Sequence, residues 1–288
     1  MIQGYNPRTG QPTGEPVAET TDADVDAAVA AAAEALPAWA SLDDEARAHA
    51  LEALADALDE RAAELVALAD EETALGETRL TGEVGRTTGQ LRLFAGVLRD
   101  GGYHDVADSP AGGGIGEIGR ISHAIGPVVV FAASNFPFAF SVLGGDTASA
   151  LAAGCPVVVK AHEGHPNTSE LTAQIAHEVL AKAGAPHGVF ALVHGVDAGL
   201  RLLKHPDIAA AGFTGSTSGG ALLPAGMSSF TAWVWIGRVT IRSTRRTSIT
   251  SISGVVFIST MTSPSAVPVL IAMTNYLKNC WLPASGVR

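Results

Sequence analysis

The chain has 288 residues, 47% of them hydrophobic and 16% charged, with a net charge of −11. That length can bury a full core in one large or two ordinary domains, and the acidic balance excludes nucleic acid, whose phosphates it would repel. Two cysteines exclude a disulfide framework and no secretory signal pattern opens the chain, so a cytoplasmic protein that takes a small molecule is expected.

In chain order, Thr21 and Asp22 open a predicted helix that carries Val25, Ala28, Val29, Ala32 and Leu36 at helical spacing, with Trp39 following Pro37. A second helix is predicted from near Ser41, where Ser41 and Asp44 form a pair like a capping box. Leu51, Leu54, Leu58, Leu65 and Leu68 supply its apolar stripe. Asp56, Asp59, Glu60 and Glu64 form a solvated opposite face. A third helix spans Glu77 to about Arg99 and is interrupted by glycines.

After the glycine-rich stretch Ala111 to Gly116, strands alternate with helices. Gly126-Pro127 introduces the apolar run Val128 to Ala132, the pattern of a strand buried on both faces. A helix over about Ser141 to Ala152, a strand over Pro156 to Lys160 and a helix over Thr168 to Lys182 follow. A third strand (Val189 to Val193), a short helix (Ala198 to Leu203) and a fourth strand (Ala209 to Thr214) complete the succession. The fold class is α/β: N-terminal helices, then a parallel sheet covered on both faces, with ligands expected beyond the carboxyl ends of its strands.

All 29 acidic residues lie at or before Asp207, so residues 1–223 carry a net charge of −17, and residues 224–288, with six basic residues and no acidic ones, carry +6. The tail also lacks histidine. A uniform composition would put roughly seven acidic residues there.

The residues that follow the strands carry a family resemblance. They are Ala133-Ser134-Asn135-Phe136-Pro137-Phe138 after the first strand, Val159-Lys160-Ala161-His162-Glu163 at the second, and Gly212-Phe213-Thr214-Gly215-Ser216-Thr217-Ser218-Gly219-Gly220 at the fourth. With Asn6-Pro7-Arg8-Thr9-Gly10 near the start, they resemble the aldehyde dehydrogenase superfamily over residues 5 to about 223. The segment Lys160 to Pro166 most resembles the branch that oxidises 2-oxoglutarate semialdehyde to 2-oxoglutarate. The resemblance implies a Rossmann-like sheet, here incomplete, an NAD(P) cofactor and a small-molecule aldehyde partner. It also implies homo-oligomers built through a hairpin that residues 103–122 resemble, although the C-terminal segment that would pair with it has no counterpart after 223.

By the same resemblance, Asn135 is the oxyanion donor, and Lys160 reaches the adenosine ribose with Glu163 accepting from it. Phe213 packs beneath the cofactor, and Gly215, Ser216 and Gly220 approach its pyrophosphate at a helix start. Glu163 would repel a 2′-phosphate, whereas His162 and His165 could donate to one, so NAD and NADP both stay open. No metal is implied, since these histidines lack further ligands nearby.

Family chemistry also needs a cysteine nucleophile and a glutamate that activates water. Cys155 precedes a buried strand and reads as a core residue. Cys280, in Lys278-Asn279-Cys280-Trp281, lacks the family context, and no glutamate follows Glu178. The expectation is therefore a partial NAD(P)-binding domain over 1–223 with weak cofactor binding, a fourth strand left unpaired, and no catalytic domain. Residues 224–288 form an aberrant tail, disordered or derived from a frameshift. The alternatives are a non-catalytic nucleotide-binding module, or an interaction protein tethered to a membrane through the uncharged stretch Gly254 to Met273. Pro264 and Pro268 speak against a spanning helix there.

Overall fold

The computed structural model describes residues 1–104, 107–109, 118–120, 122–215, 232–239 and 252–258. A hairpin of β1 (Ile2–Asn6) and β2 (Gln11–Val17) opens the chain, followed by helices α1 (Asp22–Ala40), α2 (Asp44–Glu60), α3 (Ala62–Thr73) and α4 (Glu77–Asp100). Short strands β3 (Ala107–Ser109) and β4 (Ile118–Arg120) pair antiparallel within the segment expected to be a hairpin. Then come β5 (Val128–Phe131), α5 (Gly145–Ala152), β6 (Val157–Lys160), α6 (Pro166–Lys182), β7 (Phe190–Val193), α7 (Val196–Lys204) and β8 (Ala210–Thr214). Two further strands, β9 (Ala232–Val239) and β10 (Ile252–Ile258), come from the tail.

The main sheet runs in the order β10-β9-β8-β5-β6-β7, parallel throughout except for β10. Its central strands β5 and β6 are short, apolar and largely β-branched, as burial on both faces demands. Side chains alternate between faces, which divides the core in two. Val128, Val130, Val157, Val159 and Ala210 face one cluster with α2 to α6, and Val129, Val158, Val193 and Ala211 face a second with α1 and α7. Trp39 ties α1 to the larger cluster, its indole donating to the Leu151 carbonyl at 3.1 Å.

Several expectations need correction. Ser41 does not cap the second helix; its hydroxyl donates to the Ala38 carbonyl at the end of α1. The cap of α2 is Asp43, whose carboxylate accepts from the Ala46 amide at 2.7 Å. Pro37 lies inside α1, and the leucine stripe belongs to two helices, broken at Arg61. The fourth strand, β8, is not left unpaired, because β9 pairs with it in parallel from Ala210↔Ala232 to Thr214↔Ile236. Within the tail, residues 232–239 and 252–258 form strands.

Candidate active site

Register aligns the carboxyl ends of the strands. Phe131 stands opposite Lys160 on one side and Phe213 on the other, and Lys160 stands opposite Val193. The strand ends that lead to Asn135, to Lys160 and Glu163, and to Phe213 and Gly215 thus lie side by side, because each strand stops where the apolar run gives way to polar or small residues.

After β5 the chain turns through Ala133 to Phe140, closed by a bond from the Ala133 amide to the Phe140 carbonyl at 2.8 Å. Other elements hold this turn from outside. His165, fully buried at the start of α6, donates from Nε2 to the Ala133 carbonyl at 3.0 Å. Arg79 on α4 donates to the Asn135 carbonyl at 2.6 Å. One turn further along α4, Glu83 Oε1 accepts from the amides of Phe138 and Ala139 at 2.9 and 3.1 Å. Burial lifts the Glu83 carboxyl above its usual range; those two amides and the charges of Arg79 and Arg86 act the other way. The Asn135 side chain is exposed, and among the described residues its amide has no hydrogen-bond partner. A free amide on a fixed backbone is what a donor to a transient oxyanion requires.

At the end of β6, Lys160 is largely buried along its stem, and its ammonium pairs with Glu163. Burial is the largest influence and works to raise the Glu163 carboxyl, but the Lys160 hydrogen bond, a backbone hydrogen bond and the neighbouring charges together hold the group below its usual range. The stem passes α7 at Gly199, where an added Cβ would lie 3.1 Å from Lys160 Cγ and 3.3 Å from the Phe131 ring. His162 is pushed down to about 4, by burial first and the neighbouring His165 second, so the ring is neutral near pH 7. Its Nδ1 accepts from the Gly164 amide at 3.0 Å, which leaves the single proton on Nε2. The expectation that His165 could meet a phosphate is corrected, since both its ring nitrogens are engaged, with Ala133 and Ser169, and it is enclosed.

Phe213 meets Phe131 edge to face, with ring centroids 6.4 Å apart. Gly215 passes under that ring, where a Cβ would come within 2.6 Å of Phe213 Cζ, so a larger residue there would have to displace the ring. Ser216 and Gly220 lie outside the described residues. Cys155 is 1% exposed, and burial raises its thiol, as expected of a core residue. Among the described residues no group of acidic, histidine or cysteine side chains could hold a metal ion, and no helix is long and apolar enough to cross a membrane.

Sequence reasoning missed Arg79, Glu83 and Arg86 on α4, and also Asp146. The Asp146 side chain packs against Gly212, where an added Cβ would lie 3.2 Å from its own Cβ, and its Oδ2 accepts from Thr214 at 3.5 Å. Burial pushes its carboxyl up to about 6, with the Thr214 hydroxyl acting against that.

A profile of the aldehyde dehydrogenase family matches residues 1–230. The chain belongs to the aldehyde dehydrogenase family. Among curated relatives, alpha-ketoglutaric semialdehyde dehydrogenase 2 of Azospirillum brasilense is 49% identical over 199 residues, covering 67% of this chain and 38% of the relative. Alpha-ketoglutaric semialdehyde dehydrogenase of Acinetobacter baylyi is 42% identical over 227 residues, covering 77% and 43%. The chain therefore spans well under half the length of these family members. Among solved structures, an aldehyde dehydrogenase of Brucella melitensis superposes with a TM-score of 0.72 at 26% identity, covering 82% of this chain and 48% of that one.

Proposed function

We propose that this chain carries the oxyanion donor and most of the NAD(P)-binding elements of a semialdehyde dehydrogenase whose substrate is 2-oxoglutarate semialdehyde. The observation that carries this reading is the sheet's carboxyl edge, where β5, whose following turn carries an exposed Asn135, ends in register with Lys160 of β6, which pairs with Glu163. The relatives' names support the substrate, and their partial coverage makes it a proposal for the whole enzyme.

The residues fit a dinucleotide. Val196 and Leu200, one turn apart on α7, expose apolar surface next to Gly199, against which the Lys160 stem packs. An apolar surface beside a charged hydrogen-bonding pair suits a base and its ribose. Lys160 and Glu163 would hold the ribose hydroxyls, and Gly215 with Ser216 the pyrophosphate. When bound, the nicotinamide supplies the hydride acceptor. Asn135 would donate a hydrogen bond to the oxygen that gains charge when a thiolate adds to the aldehyde carbon, a contribution of about 3–4 kcal/mol. Three observations favour NAD over NADP: Glu163 is held in its charged form, Lys160 is already paired, and His162 is neutral.

The chain as it stands is expected to oxidise no aldehyde. The nucleophile would have to be Cys155, which is enclosed, or Cys280, which lacks the family context, and no glutamate follows Glu178. The family match ends at 230, close to the loss of acidic residues, which supports an out-of-frame tail. Translating the underlying DNA in the other two frames tests that origin; it fails if neither restores a cysteine motif and a Glu-Leu-Gly-Gly. For the function itself, the test is to titrate NADH and NADPH and to follow NAD reduction with 2-oxoglutarate semialdehyde. Weak, saturable NADH binding without turnover is expected. Cofactor reduction would overturn the inactive assignment, and absence of any binding by the folded chain would overturn the cofactor assignment.

A further inference from the structure

Among the described residues the main sheet ends at β7 on one side and at β10 on the other, and no further strand covers either end. The Val157 amide donates to the Val189 carbonyl at 2.8 Å and the Ala161 amide to the Val193 carbonyl at 2.9 Å. Backbone groups of a parallel strand alternate in direction, so the N–H and C=O of Phe190 and Leu192 point away from β6, and no described residue pairs with them. This edge is the floor of a cleft of about 520 Å³ between the two helical layers. Ala27, Ala28 and Ala31 of α1 line one side of it, and His177, Leu180 and Ala181 of α6 the other. A second cleft shares His177 and Leu192 with the first and is lined by Glu15, Glu64, Glu170 and Glu178. Arg61 pairs with Glu64 and His194 with Glu170, which leaves Glu15 and Glu178 without an ion pair among the described residues. The border of β7 is therefore acidic.

The other edge has the opposite character. β10 reads Ile252-Ser253-Gly254-Val255-Val256-Phe257-Ile258, seven residues without a charge or a proline, the composition of segments that add to other strands. It belongs to residues 224–288, which carry six basic groups and no acidic one. Sheet edges are ordinarily blunted by a lysine, a proline or a bulge, and β10 pairs with β9 in unbroken register with none of the three.

We propose that β10 of one copy pairs with β7 of a second copy, so that the chain assembles head to tail. β10 runs antiparallel to every other strand of the sheet, and a copy added in the same orientation brings it to β7 as an antiparallel pair. Phe190 and Leu192 then gain the partners they lack, and the basic tail of one copy meets the acidic border of the next. The two surfaces differ, so the contact is heterologous and each added copy leaves the same two edges free. Six strands at about 4.8 Å advance the array by roughly 29 Å per copy and turn it by roughly 120–150°, which gives an open filament. This contact is separate from the hairpin assembly that the family resemblance implies.

The test is sedimentation velocity of the full chain over a roughly hundredfold range of concentration. Leu192→Lys blocks the β7 edge and Val256→Lys blocks β10, each checked for folding by circular dichroism; if Leu192→Lys unfolds, Ala191→Lys replaces it. The unsubstituted chain is expected to form a series of species that lengthens with concentration and shortens in about 1 M salt. Each variant alone is expected to stay monomeric. An equimolar mixture of the two is expected to stop at the dimer, because each supplies the edge that the other lacks. An unsubstituted chain that is monomeric at every concentration overturns the proposal, as does a dimer that grows no further. Polymers that persist in either folded variant, or a mixture that stays monomeric, overturn it equally.

Discussion

Two turns leave the same edge of the sheet and are held in different ways. The turn after β5, which carries Asn135, is fixed by groups buried in other elements, with His165 on the Ala133 carbonyl and Glu83 on the Phe138 and Ala139 amides. The segment after β6, which carries Glu163, is fixed by bonds within itself, chiefly Lys160 to Glu163 and the Gly164 amide to His162. A group that stabilises a transient charge gains most from being positioned beforehand, whereas a cofactor segment must yield its ion pair when the ribose arrives. Under the proposed function, donors and acceptors taken from distant helices would serve the chemistry, and those taken from neighbouring residues the cofactor.

The largest expected effect breaks the first turn. Glu83→Leu leaves two amides unpaired and should destabilise the chain by about 3 kcal/mol, read by denaturant unfolding, whereas Glu83→Gln keeps an acceptor and should cost about 1 kcal/mol. If Glu83→Leu proves neutral, the turn is not held from α4. The next effect has the opposite sign. Asp146 has its carboxyl raised to about 6, so the native state binds more protons than the unfolded chain from about pH 4 to pH 6, and stability falls as pH rises through that window. Asp146→Asn should therefore stabilise the chain by about 2 kcal/mol at pH 7.5 and flatten the pH dependence of the melting temperature between pH 4 and 6. A variant that still loses stability over that window would exclude Asp146 as its source.

Smaller effects concern the second segment. Gly199→Val should cost roughly 1–2 kcal/mol and weaken NADH binding, because a side chain there meets the Lys160 stem and Phe131. Glu163→Gln keeps an acceptor for the largely buried Lys160 but removes the opposite charge, and should cost about 1 kcal/mol. It should also narrow the preference for NADH over NADPH in parallel titrations. An unchanged preference would remove Glu163 from the discrimination between cofactors.

The sheet was legible because Val128–Val130 and Val157–Val159 are unbroken β-branched runs set between glycine or proline signals, and the polar residues that follow them, Ser134-Asn135 and Lys160, marked the site. The β1–β2 hairpin was not, because Gln11–Val17 alternates weakly and contains two prolines. The α4 clamp was hidden among ordinary helix-surface charges, yet a signal existed. Glu83 falls in phase with the buried stripe Leu80, Val84, Thr87 and Leu91, where a carboxylate needs partners. Asp146 reads in sequence as an ordinary acid in the first turn of a helix; its packing against Gly212, 66 positions later, is revealed by no local pattern.

Amide hydrogen exchange on the intact chain, resolved at Phe138, Ala139 and Gly164, tests the contrast between the two turns most directly. The account predicts that the Phe138 and Ala139 amides, bonded to a buried carboxylate, are protected nearly as well as the strand amides of β5 and β6, while the Gly164 amide exchanges much faster. Phe138 and Ala139 exchanging as fast as Gly164 would contradict a preformed oxyanion turn.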